Sequence, residues 1–236
     1  SLVEDFLPGA YWDTLAVQDW VCVSGADGAV VWSSLDAPLV CLGDLWPGYV
    51  SPAHSARVPS RAHHPPTALG EVRNGWVYST LFTNNFGTNF SVSQTGSILF
   101  RHVFTSCAEA PEDGLAGRIG LEQMTPARTI FLERRRDGRL PTSASLLEIT
   151  GDPLVPLALK PAEDGRGHIL RLWNSAPRVA DADIVVNFIS LADAEPATIT
   201  EGYAPEDPGS VFLVAPHRVQ VTVPPRRLLT VRLLDT

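Results

Sequence analysis

A chain of 236 residues with a formal charge of −8 and 44% hydrophobic residues is long enough to bury a sizeable core, as one large β unit or two smaller domains. The acidic balance argues against nucleic acid as a partner, because backbone phosphates are bound by clustered Lys and Arg. Twenty prolines and eighteen glycines, against one methionine, indicate many short segments joined by turns and predict an all-β protein.

The first predicted element is a β-hairpin, followed by a separate strand. In LAVQDWVCVSGADGAVVWSS, two apolar strands flank the pair Asp27-Gly28, and residues of this kind tolerate the positive φ of a tight turn. A further short strand is predicted in APLVCLGDL, where it ends at Gly43.

A long irregular segment from residue 46 to residue 75 comes next. It contains five prolines and three histidines, and we predict that it runs over the surface as a loop. His54, His63 and His64 suggest a metal site at first sight. Because no Asp or Glu in the segment completes a four-ligand pattern, no metal ligand is predicted.

The middle of the chain is predicted to hold strands, one short helix and a charged turn. Strands are indicated at WVYSTLF, SILFRHVF, RTIFLE and SASLLEIT. The stretch from Leu115 to Met124 is the helix candidate, although its glycines weaken it. The basic run ERRRDGR, residues 133–139, is predicted to be a hairpin end and not a phosphate groove, because Glu, Asp and Gly interrupt it.

From residue 160 the strand pattern becomes regular. Strands are predicted in GHILRLWNS, DADIVVNFIS, PATITEGY, SVFLVAP, RVQVTVP and LLTVRLLD. The valines of RVQVTVP alternate with polar residues, and LLTVRLLD repeats this pattern with Thr230 and Arg232 expected to face water. Such strands are typical of a β-sandwich. We predict a boundary near Pro161, which gives domains 1–160 and 161–236.

No catalytic centre is predicted from the residues. The chain has no nucleophile elbow, HExxH, P-loop or GxGxxG motif. Its acidic residues fall mostly in turns such as APEDG, and not where a rigid carboxylate pair would flank a glycosidic bond. Cys22, Cys41 and Cys107 form neither a disulfide framework nor a zinc motif and are expected to be buried thiols. No catalytic residue, metal ligand or cofactor is assigned to the chain.

The first residues, SLVEDFLPGAYWD, contain no basic stretch followed by an apolar run, so no secretory leader is expected. A membrane-spanning helix needs about 18 consecutive apolar residues, and no such run occurs. We therefore expect a cytoplasmic chain with no membrane partner. Because the chain begins with Ser1 and not with Met, we also expect it to be a fragment of a longer polypeptide.

The segment TNNFGTNFSVSQTG is rich in neutral amides. Asparagine and glycine tolerate left-handed backbone geometry, so the segment can form a wide loop whose polar groups bond to nearby main chain. Neutral amides beside aromatic rings also suit an uncharged, polyhydroxylated ligand such as a sugar. Both interpretations stay open. The candidate sugar-facing residues are Asn84, Asn85, Asn89, Gln94 and Arg101.

Three ordered segments resemble the C-terminal β-domain region of family 38 glycoside hydrolases, the α-mannosidases. VYSTLFTNNFGTNFSVSQTGSILFRHVF is similar to a stretch in which Asn-Asn, Thr-Asn-aromatic and Gln-x-Gly recur. YWDTLAVQDWVCVSGADGAVVWSSLDAPLVCLGD and LALKPAEDGRGHILRLWNSAPRVADADIVVNF resemble an earlier and a later segment of that region. The chain departs from the family pattern at Phe86 and Gly87, where Trp and a polar residue are expected, and at His102.

The resemblance implies a mutarotase-like supersandwich portion followed by a smaller immunoglobulin-like β-sandwich. None of the six histidines is followed two residues later by Asp, as in the family's zinc site, so the catalytic domain is expected upstream in the same polypeptide. Zinc and the Asp nucleophile of retaining α-mannoside hydrolysis would belong to that domain. The present chain would be non-catalytic, would pack on it and would complete the rim of its mannoside pocket. Open sheet edges would be covered by residues 46–75 or by a second copy of the chain.

Two alternatives from other classes are kept. The first is a stand-alone carbohydrate-binding module that uses the five sugar-facing candidates. The second is a sugar-epimerising enzyme of the mutarotase type, which needs a general acid and base in one cleft. His102 with Glu122 or Glu148 is the pairing that the sequence offers. The alternation of His102 with apolar residues favours a structural place beside the core instead.

Overall fold

The computed structural model describes residues 15–43, 72, 74–82, 93–111, 115–131, 141–204 and 209–236. Within these residues the protein is nearly all β, with one short helix, which confirms the all-β sandwich class. The chain divides into two compact units, Ser1–Ala110 and Pro111–Thr236.

The first unit contains two antiparallel three-stranded sheets among its described residues. Its strands are β1 (Leu15–Ala16), β2 (Val21–Gly25), β3 (Gly28–Ser34), β4 (Leu39–Leu42), β5 (Val77–Ser79) and β6 (His102–Cys107). One sheet has the order β1–β4–β5 and the other the order β2–β3–β6. The predicted strand in APLVCLGDL is confirmed as β4.

The predicted hairpin is confirmed as β2 and β3, which pair from Val21–Trp32 to Gly25–Gly28. Gly28 has a φ of 130°, a backbone conformation that residues with a Cβ atom rarely adopt. A Cβ atom at this position would also lie 2.5 Å from the carbonyl oxygen of Cys107 on β6. Glycine is therefore needed at this position both for the backbone conformation where the chain leaves the turn and for the close approach of the third strand.

The strand predicted in SILFRHVF begins later than expected. Pairing with β3 starts at His102, and Leu99 upstream is 79% exposed. A strand forms where a neighbouring strand supplies hydrogen bonds, and a run of apolar residues does not by itself guarantee such a neighbour. The predicted loop over residues 46–75, apart from positions 72, 74 and 75, lies outside the described residues, as does the charged turn at 133–139.

In the described residues of the second unit, helix α1 (Leu115–Met124) precedes a sandwich of eight antiparallel strands, which confirms the predicted helix. The strands are β7 (Leu147–Gly151), β8 (Val155–Pro161), β9 (His168–Trp173), β10 (Ala180–Val186), β11 (Leu191–Ala197), β12 (Ser210–Ala215), β13 (Arg218–Val223) and β14 (Leu228–Asp235). They form two sheets of four, in the orders β12–β13–β10–β7 and β11–β14–β9–β8.

The core of this unit lies between the two sheets. Alternate residues of β13 and β14 point inward, as predicted, and meet the inward residues of β9 and β10. The fully buried members include Leu170, Leu172, Ile184, Val219, Leu229 and Val231. Burying a side chain of this size contributes about 1.5–3 kcal/mol. The alternation read from the sequence therefore identifies the main source of stability.

The prediction that Thr230 and Arg232 face water is wrong. Both residues are buried, with exposed fractions of 5% and 6%. Strand β14 lies inside its sheet, between β11 and β9, and its outward Arg232 is bound by polar groups of the β8–β9 and β11–β12 connections. A buried Arg is tolerated here because its donors are paired.

Two further strand predictions need correction. In RTIFLE the described residues 128–131 form no strand, and Phe131 is 94% exposed. PATITEGY is mainly a turn, in which Thr198 and Gly202 exchange hydrogen bonds, because β11 already ends at Ala197. Apolar and β-branched residues favour strands only where a partner strand lies alongside.

The division into units also differs from the boundary predicted near Pro161. Strands β7 and β8 pair with β10 and β9, so both belong to the sheets of the second unit. The assignment of residues 1–160 and 161–236 to supersandwich-like and immunoglobulin-like domains stays a prediction.

Candidate functional site

A concavity of about 840 Å³ in the first unit lies against one face of the β2–β3–β6 sheet. Strand alternation places Val30 and Trp32 on this face of β3, next to Val23 on β2 and Ser106 on β6. Gly75, Val77 and Ser79, on and beside β5, also line the concavity. Its volume falls within the range of small-molecule sites.

The floor of the concavity carries two stacked rings. The rings of Trp32 and His102 have centroids 5.4 Å apart and an interplanar angle of 20°. Trp32 pairs in register with Phe104 and His102 with Ser34, so the two rings are diagonal neighbours on one sheet face. Trp32 is half-buried and His102 is exposed. The pair forms an aromatic surface that is accessible to a ligand.

The polar residues in the described lining are Ser24, Asp27, Ser79, His102 and Ser106. His102 and Ser106 share the sheet face of Trp32, whereas the Ser24 side chain lies on the opposite face of β2. Ser79 stands apart because its Oγ is buried and has no hydrogen-bond partner. A buried hydroxyl without a partner costs free energy, so such a group usually has a ligand, a water or another function to explain it. Its described residues include no Lys or Arg, and Asp27 is the one carboxylate among them.

An ion pair between Asp36 and Arg101 connects the end of β3 to the start of β6. Arg101 donates from Nε to Asp36 Oδ2 at 3.0 Å and from Nη2 to Oδ1 at 2.7 Å, and its backbone N–H donates to Oδ2 at 2.7 Å. These bonds lower the pKa of Asp36 to about 2, with the Arg101 side chain as the main cause. The carboxylate is therefore ionised at neutral pH and fixes Arg101 in place.

The five sugar-facing candidates are placed only in part. Asn84, Asn85 and Asn89 lie outside the described residues. Gln94 is exposed, in a stretch without strand structure, and Arg101 is held by Asp36. Their role in sugar binding stays a prediction.

Trp32, Ser79 and Asp36 were not singled out by sequence reasoning. The alternation in GAVVWSS is a signal that Val30 and Trp32 share a face. Nothing in the sequence shows which element lies over that face.

The acid–base pair of the mutarotase-type alternative is distributed over the two units. His102 lies on β6 of the first unit, whereas Glu122 lies on α1 and Glu148 on β7 of the second. Glu148 accepts a hydrogen bond of 2.8 Å from Asn187 Nδ2. The pairing stays a prediction.

The three cysteines remain thiols, and all are half-buried. Burial raises the pKa of Cys22, with a smaller contribution from Cys107, so its thiol is protonated at neutral pH. Within the described part of the chain, no group of three His, Cys, Asp or Glu side chains is arranged to hold a metal ion. In the same residues, no helix has the length and apolar character needed to cross a membrane.

The second unit contains a charged cluster on the outward face of the β11–β14–β9–β8 sheet. It consists of Lys160, Glu163, Asp164, Arg171, Glu201 and Arg232. Arg232 Nη1 donates to Asp164 Oδ1 at 2.8 Å and to the carbonyl oxygen of Arg166 at 3.0 Å, and Nη2 donates to the carbonyl oxygen of Glu201 at 2.7 Å. Hydrogen bonds from Arg232 hold the pKa of Asp164 well below its usual range.

Glu201 joins the other half of this cluster. Its side chain is 6% exposed and accepts from Lys160 Nζ at 2.6 Å and from the backbone N–H of Glu163 at 2.8 Å. Together these donors lower the pKa of Glu201. Since its charged groups are largely paired with one another, we interpret the charged cluster as structural.

The segment LALKPAEDGRGHILRLWNSAPRVADADIVVNF therefore has a visible structural role. It supplies Lys160, Glu163 and Asp164 to the charged cluster, and it also supplies Asn174. Asn174 is fully buried, donates to the carbonyl oxygens of Arg178, Val223 and Pro224, and accepts from the N–H of Ala176. These contacts join two connections of the sandwich.

Fold and site together define an all-β sandwich protein with a ligand-sized aromatic concavity. No protein-family model matches the chain. A protein of Halalkalibacterium halodurans named "Putative mannosylglycerate hydrolase" is 24% identical to it over 169 residues. The match covers 70% of this chain and 16% of that protein, so the chain spans a small part of its relative. The similarity supports a relationship with glycoside hydrolases and does not extend to a shared activity.

Proposed function

We propose that the chain is a non-catalytic β-sandwich region of an α-mannosidase-like glycoside hydrolase, which packs on a catalytic domain of the same polypeptide and completes the rim of its sugar site. The observation that carries this proposal is the match to the Halalkalibacterium halodurans relative over 70% of the chain. The resemblance of the three ordered segments to the α-mannosidase β-domains supports it further.

Exposed apolar side chains in the first unit support a packing role. Phe104 is 73% exposed, Trp76 61%, Phe82 59% and Leu99 79%. Large apolar side chains with this much exposure are candidates for an interaction surface. A catalytic domain of the same polypeptide would bury these side chains.

The carboxylates of the concavity are consistent with a catalytic site elsewhere. Retaining glycoside hydrolysis needs an acid and a nucleophile about 5–5.5 Å apart, and among the described lining residues Asp27 is the one carboxylate. In this proposal the catalytic domain supplies the nucleophile and the zinc ion.

A direct test compares the isolated chain with the complete gene product. The isolated chain should give no turnover of 4-nitrophenyl α-mannoside or of mannosylglycerate, whereas the complete product should. Phe104→Asp in the complete product should weaken the contact between its domains and lower kcat, with far-UV circular dichroism unchanged. Turnover by the isolated chain that is abolished by a substitution within it would refute the proposal.

The second candidate function is a stand-alone carbohydrate-binding module that uses Asn84, Asn85, Asn89, Gln94 and Arg101. The exposure of Gln94 favours it, as does the 59% exposure of the Arg101 side chain. Glycan binding that Asn85→Ala abolishes at unchanged thermal stability would support this function. A loss of about 1–3 kcal/mol in stability would instead indicate that the amide is structural.

A further inference from the structure

We propose that the concavity over the β2–β3–β6 sheet binds a neutral pyranose ring, with the Trp32–His102 pair as the stacking surface. Of the described sugar-facing candidates, neither Gln94 nor Arg101 lines this site. It depends only on the geometry of the first unit, so it can be present whether or not the chain serves a hydrolase.

The aromatic surface favours a ligand that presents a face of C–H groups. The π-face of Trp carries partial negative charge, and it attracts the weakly positive C–H groups on one face of a pyranose. Trp32 is held in position by the ladder of β3 and by its near-parallel stacking with His102. A rigid ring of this kind loses little conformational entropy when a ligand binds.

The polar lining selects for hydroxyl groups. Serine hydroxyls donate and accept, and the Asp27 carboxylate accepts, so together they match the donors and acceptors of sugar hydroxyls. Ser79 Oγ has no partner within the protein, and a sugar hydroxyl can supply one after a rotation about χ1. A purely apolar ligand would leave this hydroxyl unsatisfied.

The charge of the lining selects against anions. Among the residues that the structure describes, no Lys or Arg lines the concavity, and Asp27 contributes a negative charge. Arg and Lys are the side chains that bind phosphate and carboxylate most strongly, and the described lining offers neither, while Asp27 would repel an anion. A neutral sugar, or the neutral sugar ring of a larger glycoside, is therefore the expected ligand.

The experiment is a titration of the isolated chain with methyl α-mannoside, α-1,2-mannobiose and cellobiose, followed by isothermal calorimetry. Saturable binding of at least one of them is expected, and Trp32→Ala should weaken it at least tenfold. Trp32→Phe, which keeps an aromatic ring and the fold, should weaken binding less. Trp76→Ala is the matched control, because Trp76 alternates with the lining residues of β5 and stacks edge-on with Tyr78.

Ser79→Ala separates binding from folding. Removing an unpartnered buried hydroxyl should leave the melting temperature unchanged or slightly higher, while affinity falls several-fold. The inference is overturned if none of the three sugars binds up to a concentration on the order of 10 mM, a range in which weak sites are still detected. It is also overturned if Trp32→Ala and Trp76→Ala bind equally well, or if Asn85→Ala alone abolishes binding.

Discussion

Replacement of Arg232 by Met should destabilise the second unit far more than the same replacement at Arg218. The Arg232 side chain is 7% exposed and donates to the Asp164 carboxylate and to two main-chain carbonyl oxygens. The Arg218 side chain is 50% exposed, and it forms its two hydrogen bonds with the Asp183 carboxylate. Both arginines lie on strands of one sandwich, so they form a matched pair.

The expected loss of unfolding free energy follows from the groups that lose their hydrogen bonds to Arg232. Breaking one side of a buried pair costs about 3–5 kcal/mol, and an unsatisfied carbonyl group costs about 1–3 kcal/mol. Asp164 is more than a third exposed and regains water when its partner is lost, so the lower end applies. We expect Arg232→Met to cost about 3 kcal/mol, which corresponds to roughly 10 °C in melting temperature for a unit of this size.

The assay is urea unfolding combined with amide hydrogen exchange of peptides from β9 and β14, which follows the second unit alone. Arg218→Met should shift the unfolding midpoint only slightly, because exposed ion pairs contribute little. Arg232→Lys keeps the charge but loses the forked arrangement of guanidinium donors. Its unfolding midpoint should therefore lie between those of Arg232→Met and the wild type. Equal losses for Arg218→Met and Arg232→Met would refute the reasoning that burial and carbonyl pairing decide the cost.

The remaining predictions concern acid stability and the hairpin. The pKa values of Asp36, Asp152, Asp164, Asp183 and Glu201 are lowered in the folded protein, so their contribution is full above the ordinary values of 3.8 and 4.5 and is lost as the pH falls toward about 2. Urea midpoints should therefore fall steeply below pH 4.5. Asp36→Asn should weaken this pH dependence when unfolding is followed by hydrogen exchange in peptides of β3 and β6. A midpoint that is constant between pH 5 and pH 3 would contradict the prediction. Gly28→Ala should cost about 1–3 kcal/mol because it combines a positive φ with a close contact, whereas Gly25→Ala, whose Cβ would meet no atom within 4 Å, should be tolerated. Similar thermal shifts for the two variants would contradict this assignment of the turn.

The charged cluster shows how an outward strand position becomes buried. Residues of β14 alternate as the sequence predicts, yet Arg232 is covered by the connections that carry Asp164 and Glu201. Glu201 also adopts a φ of 69°, which is uncommon for a residue with a side chain, so the turn is held by its side-chain contacts. A substitution that removes those contacts should therefore loosen both connections at once.

The sequence by itself determined the local features of this protein. Asp27-Gly28 predicted the hairpin, the segment Leu115–Met124 predicted the helix, and the alternating valines of β13 predicted the core face. These features depend on backbone torsions and on a period of two or 3.6 residues, which neighbours in sequence control.

Only the tertiary structure decided which residues meet. Residues 128–131 have the composition of a strand but no partner, and Arg232 is buried by two distant connections. The concavity likewise joins Trp32 and His102 to Ser79 from a separate sheet, across gaps in sequence that no local pattern spans. Burial, pairing and site formation are properties of contacts between distant segments, and a single sequence carries no direct record of those contacts.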